Sequence, residues 1–195
     1  MSIALTSSLG SFFDEAVHDA LKVRNVEATE AAKHYLVGLL SDFAHPDPLA
    51  EDTLGRPFTF LLDEALNAAG VERFHRLRTL GDGVLYVTGF FRDHIENRGV
   101  SVRYVVSVGT IAYENVSAMF RAREGEDVFR ELAQKLPRFV EVLTEVAERA
   151  QAQQARGEKG LVKLYERWLR TGSSRLAAEL GARGIVPLKG PGGTH

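Results

Sequence analysis

Two Glu-x-x-His pairs, Glu15/His18 and Glu72/His75, carry the spacing that sends two ligands from one helix toward a di-metal centre in a four-helix bundle. Helical geometry turns both pairs outward. Glu15 and His18 point away from the apolar stripe Phe13, Ala16, Val17 and Ala20, and Glu72 and His75 away from Val71, Phe74 and Leu77. No metal site is expected from either pair. Asp42, His45 and Asp47 lie close enough in sequence to clamp a cation, but beside Pro46 and Pro48 they read as a capping and turn cluster.

Asp93 and His94 are the more informative polar pair, because the apolar run before them predicts a buried helix. A histidine between the directions of Val87 and Phe90 needs a hydrogen-bond partner, and a buried aspartate needs a counter-charge. His34 begins a polar stripe with Gly38, Ser41 and His45 on an otherwise apolar helix; at ~16 Å apart along the axis, its two histidines cannot share a metal. Together His34, Tyr86, Asp93, His94 and Tyr113 define a candidate interior pocket. Arg73, His75, Arg76 and Arg78 concentrate positive charge, which reads first as a solvated helix face.

Other chemistries are absent from the sequence. There is no cysteine, so disulfides, thiolate catalysis and Cys-ligated zinc do not arise. No Walker A loop, Gly-x-Gly-x-x-Gly turn or Gly-x-Ser-x-Gly elbow is present, and no cofactor is expected. Leu176 to Gly181 resembles the first helix of a helix-turn-helix. Pro187, Gly190 and Pro191 prevent a recognition helix from following.

The elements that must position these residues are helical. The chain has 195 residues, 45% of them hydrophobic, which is enough for a packed core. With 24 basic and 26 acidic side chains the net charge is −2, which gives no reason to expect nucleic acid or an anionic membrane as partner. No apolar run approaches the ~18 residues of a membrane span. The first residues, Met1-Ser2-Ile3-Ala4-Leu5, lack a basic leader, so a cytoplasmic location is expected, and the chain reads as a bacterial-type domain.

Caps and periods predict an all-α fold of seven to nine helices. Ser11-Phe12-Phe13-Asp14 reads as a capping box opening a first helix to about Arg24, and Asn25 as the cap of a second, to Ala44. Pro57 suits the start of a third. A short fourth over 71–80 is expected to stop at Gly81-Asp82-Gly83, with Asp82 capping a fifth helix over 83–97. A sixth follows at 101–123, kept helical despite Val102, Val105, Val106 and Val108. The seventh, from Asp127 to Ala155, carries a wide stripe of Phe129, Leu132, Leu136, Phe139, Leu143 and Val146. An eighth (159–171) presents Tyr165 and Trp168, and Ser173 or Ser174 caps a ninth.

Helices two and five are apolar nearly all round and are expected at the centre of a compact bundle. Gly38, Gly89 and Gly109 inside helices predict close backbone crossings. Residues 1–156 would form the main bundle, 157–183 a C-terminal helical appendage packed on it, and 184–195 a loose tail, all within one domain. The expected function is a non-catalytic cytoplasmic protein acting through protein–protein contacts. A homodimer is the first expectation, joined through Leu143, Val146, Tyr165 and Trp168. The alternative is a small-molecule-binding or enzymatic bundle with its pocket between helices two, five and six.

Overall fold

A computed structural model describes residues 2–44, 56–120, 127–154 and 158–185. Among these, nine helices and no strand occur: α1 Ser2–Arg24, α2 Glu30–Phe43, α3 Phe58–Asn67, α4 Gly70–Phe90, α5 Arg92–Asn97, α6 Val102–Met119, α7 Val128–Gln154, α8 Glu158–Thr171 and α9 Ser174–Ala182. The chain forms two compact units, Met1–Thr144 and Glu145–His195, with the division inside α7 and ahead of the Gly157 break in the sequence. Ten of the residues expected as a loose tail, 186–195, lie outside the described residues, as do His45 and Asp47.

In the first unit α4 and α6 lie side by side, α1 packs on α2, and α3 packs on α4. Leu77, Leu80, Val84 and Val87 of α4 meet Val105, Val108, Ala112 and Val116 of α6 in a continuous apolar core, with Ala65 of α3 and Ile95 of α5 beside them. The β-branched start of α6 is helical because its valines at 105 and 108 fall on this buried face and Ser101 caps it, accepting from the Tyr104 N–H. The helix α1 stripe of Phe13, Ala16, Val17 and Ala20 is buried as its spacing requires. One difference concerns α2, which keeps a solvent face: His34 and Gly38 are exposed while Leu36, Leu39 and Leu40 are buried.

Three boundaries differ from the sequence expectation, each for a local reason. Ser11 lies within α1, which begins at Ser2, so it opens no helix. Asn25 ends α1 instead of starting α2. It adopts a left-handed φ of 49°, with its N–H on Lys22 O and the Val26 N–H on Leu21 O, the paired bonds of a Schellman stop. Thr29 is the true cap of α2. The largest difference is at Gly81-Asp82-Gly83, where α4 runs on without interruption to Phe90.

Glycine supplies the close approaches at three helix crossings. A Cβ on Gly81 would lie 2.6 Å from the Tyr113 ring, one on Gly109 2.6 Å from Val84 Cγ1, and one on Gly89 2.5 Å from Leu143 Cβ. The last two match the sequence expectation. Gly38 does not: nothing stands within 4 Å of its would-be Cβ.

In the second unit Ala152 near the end of α7 meets Leu164 and Trp168 of α8 and Leu176 and Leu180 of α9. Ser173 caps α9 by accepting from the Leu176 N–H, and Gly184, at φ 81°, closes it.

Candidate functional site

The polar side chains that converge inside the first unit are centred on Asp82. Since α4 is continuous there, the Asp82 carboxylate has no helix N-terminus to cap and projects from mid-helix toward α2 and α6. Tyr35 of α2 donates its hydroxyl to Asp82 Oδ1 at 2.6 Å, and Tyr113 of α6 donates to the same oxygen at 2.7 Å. Arg78, one turn back on α4, places Nε 3.4 Å from Asp82 Oδ2 and donates to the Tyr35 hydroxyl at 3.1 Å. The guanidinium carbon sits 5.6 Å from the Tyr35 ring centroid, a cation–π contact in the same cluster.

Gly81 makes this geometry reachable. Tyr113 is fully buried, and its ring occupies the space a side chain at position 81 would take. Phe129 of α7 stands edge-on to Tyr35 at 5.5 Å and tilted against Tyr113 at 6.1 Å, so aromatic rings wall the cluster on that side. Phe74 and Phe120 extend the wall beyond Phe129.

The electrostatics follow from this enclosure. Removal from water disfavours the ionised carboxylate and raises the Asp82 pKa above its ordinary 3.8, although both tyrosine hydroxyls and Arg78 oppose the shift. Burial also raises the pKa of Tyr113 and Tyr35 well above that of a free tyrosine, and the neighbouring Asp82 charge adds to both shifts. Both phenols therefore stay protonated and act as donors. With 16% of its side-chain surface accessible, Asp82 sits at the edge of the core and keeps some access to solvent.

The five residues singled out as a pocket do not converge. Tyr113 alone joins the cluster. Tyr86 lies half-buried between Phe43, stacked at 4.2 Å, and Phe90, stacked at 5.0 Å. His34 is exposed on the solvent face of α2. His94 is exposed as well, and Asp93 is half-buried. The reason is a break at Phe91, with φ −124° and ψ 31°, after which Arg92–Asn97 forms a separate short helix. The periodicity of α4 does not carry past it, so His94 loses the direction it would share with Val87.

The other candidates fall apart in a similar way. Glu15, His18, Glu72 and His75 are exposed, and no grouping of three or more His, Asp or Glu side chains suited to a metal ion occurs among the described residues. The basic run divides among different partners: Arg73 donates to Asn115 at 3.3 Å, Arg76 to Glu72 at 2.7 Å, and Arg78 to Tyr35. The four residues expected at a dimer interface are largely covered within the chain. Leu143, Val146 and Trp168 are buried, and Tyr165 is half-buried beside Trp168.

Asp82 and Tyr35 are the residues sequence reasoning missed. Asp82 was legible only as a cap, and Tyr35 only as part of an apolar helix face. The available signal was the cost of two glycines flanking an aspartate in a stretch otherwise able to remain helical, which marks a point where another side chain must come close. No known protein family, curated protein or solved structure matches the chain.

Proposed function

We propose that this chain is a non-catalytic cytoplasmic protein that acts through protein–protein contacts, with a second copy of itself as first partner. The observation that carries the reading is the outward face of α6. Its inner face is sealed by Val105, Val108, Ala112 and Val116, yet Tyr104 and Ile111, which turn away from that face, and Met119, the last residue of the helix, are 41%, 39% and 40% exposed. The spacing of seven residues puts Tyr104 and Ile111 on one line, and Met119, turned roughly 80° from Ile111, extends the exposed apolar surface to the helix end, over a length of ~22 Å. Ser107 and Ala118 are exposed beside them. A large apolar side chain exposed singly is ordinary, whereas a row of three along one helix marks a contact surface. A two-fold dimer would pair this face with itself.

Light scattering on the full chain at tens of micromolar is expected to give the dimer mass, and Ile111→Asp to return the monomer with its helical circular dichroism unchanged. A monomeric wild type would overturn the self-association reading.

A second reading, a small-molecule-binding or enzymatic bundle, draws support from the convergence of Tyr35, Arg78, Asp82 and Tyr113 between α2, α4 and α6. It ranks behind the first because these groups satisfy one another. Thermal-shift screening tests it: a ligand that stabilises wild type but not Asp82→Asn would move the function to this cluster.

A further inference from the structure

The second unit holds two glutamates almost wholly removed from solvent. Glu145 and Glu148, one turn apart on α7, are each 3% exposed. Both are met from α9 or its cap: Arg175 places Nη1 3.2 Å from Glu145 Oε1, and Ser173 donates to Glu148 Oε2 at 2.7 Å. Two more polar ties run in parallel. Arg167 of α8 donates to Gln151 at 2.7 Å, and Arg183, just after α9, donates to the Ala152 carbonyl.

The apolar part of the same contact is distributed differently. Of the buried cluster formed by Ala152, Leu164, Trp168, Leu176 and Leu180, α7 contributes only the alanine. Leu161, Tyr165, Ala177 and Ile185, which pack around it, also belong to the hairpin formed by α8, α9 and the residues just after them. The hairpin thus carries its own core, while its described ties to α7 are mainly hydrogen bonds and an ion pair. Such ties exchange for water with little net loss, whereas apolar burial does not. The fit is also incomplete: Arg167 Nε and Arg175 Nε are buried with no acceptor among the described residues. A face closed permanently is better served by apolar side chains than by buried carboxylates and unmatched guanidinium donors.

From these observations we infer that the α8–α9 hairpin is a releasable strap. It leaves α7 as one body while the first unit stays folded, and its release bares the Glu145–Glu148–Ala152 face of α7. The inference is independent of the α6 surface and of the Asp82 cluster.

Native-state hydrogen exchange on the full chain, followed across low concentrations of urea, tests it directly. The amides of α8 and α9 are expected to open together, with protection on the order of tenfold or more below that of α4 and α6 and with a shallower urea dependence. If they share the protection and the urea slope of α4, no separate release exists and the inference is wrong. A second measurement examines the cause. Replacing the ion pair by Glu145→Leu with Arg175→Leu is expected to raise the hairpin's protection on the order of tenfold relative to wild type. Unchanged or lower protection in a folded double variant would show that the polar ties do not set the release.

Discussion

The Tyr113 hydroxyl reaches Asp82 across the α4–α6 crossing at 2.7 Å only because its ring lies where a side chain of residue 81 would be. A glycine that costs helix propensity is therefore the residue that lets a half-buried carboxylate find its donor. Gly81→Ala must displace the ring and lengthen the bond. A loss of about 1–3 kcal/mol in chemical denaturation is expected from overpacking of this kind.

The same logic gives a contrast between two other glycines. Gly89→Ala forces a Cβ to 2.5 Å from Leu143 Cβ and should destabilise by a comparable amount. Gly38→Ala meets nothing on an exposed helix face and should stabilise by roughly 0.5–1 kcal/mol through helix propensity alone. Equal effects from the two substitutions would mean that the α4–α7 crossing is not tight at Gly89.

Asp82 should impose a definite pH dependence. Its pKa is raised in the folded chain, so the folded state binds this proton more tightly than the unfolded state does. The stabilising contribution is then fully present below pH 3.8 and is lost as pH rises through the folded-state value. Asp82→Asn keeps an acceptor for both tyrosines without a charge to desolvate. Relative to wild type it should gain stability steadily across that window, and parallel stability curves from pH 3 to 7 would refute the assignment. Asp82→Ala is a different case, since it leaves the buried Tyr113 hydroxyl without its acceptor, at about 1–3 kcal/mol.

How much of this was legible in the sequence depends on whether the signal was local. Ser101 and Ser173 act as caps with their own backbone neighbours, and the α1 and α7 stripes follow from period alone, so these features could be read directly. Asp82 could not. Its local preference is for a helix start, and what overrides that preference is a pair of tyrosines 47 and 31 residues away in sequence. His94 failed for the opposite reason, because an inconspicuous break at Phe91 interrupts a period that continues in the sequence.

Exposure of His94 makes a prediction that differs from the buried pair expected from sequence. On a solvent-facing turn, His94→Ala removes no core contact and should change stability by no more than about 0.5 kcal/mol. Tyr113→Phe is the informative comparison, because it deletes only the buried hydroxyl that Asp82 accepts. Thermal melts should show a clear loss for Tyr113→Phe beside an unchanged His94→Ala. The reverse order would place the polar centre of the unit at the α5 turn.

Thr29 and Glu131 give the last prediction, since one threonine here performs two tasks. Its Oγ1 accepts from the Ala32 N–H at 3.1 Å, capping α2, and donates to Glu131 Oε2 on α7. The Thr29 N–H meets Glu131 Oε1 at 3.1 Å, and Lys135 donates to that same oxygen at 2.9 Å. Burial works against the Glu131 charge, but the Thr29 and Lys135 bonds outweigh it and hold the carboxyl below its ordinary 4.5. The sign is thus opposite to that of Asp82. The stability contributed by Glu131 is present above pH 4.5 and is lost as pH falls through the lowered folded-state value. Thr29→Ala should cost about 1 kcal/mol for the cap alone. Glu131→Gln keeps one acceptor but loses the charge that Lys135 and the threonine donors favour. Because the two residues share bonds, their effects in a double-mutant cycle should fall short of additivity by about 0.5 kcal/mol or more. Strict additivity would mean that α2 is capped without help from α7. A Glu131→Gln variant as acid-sensitive as wild type would show that this carboxylate does not hold the two helices together.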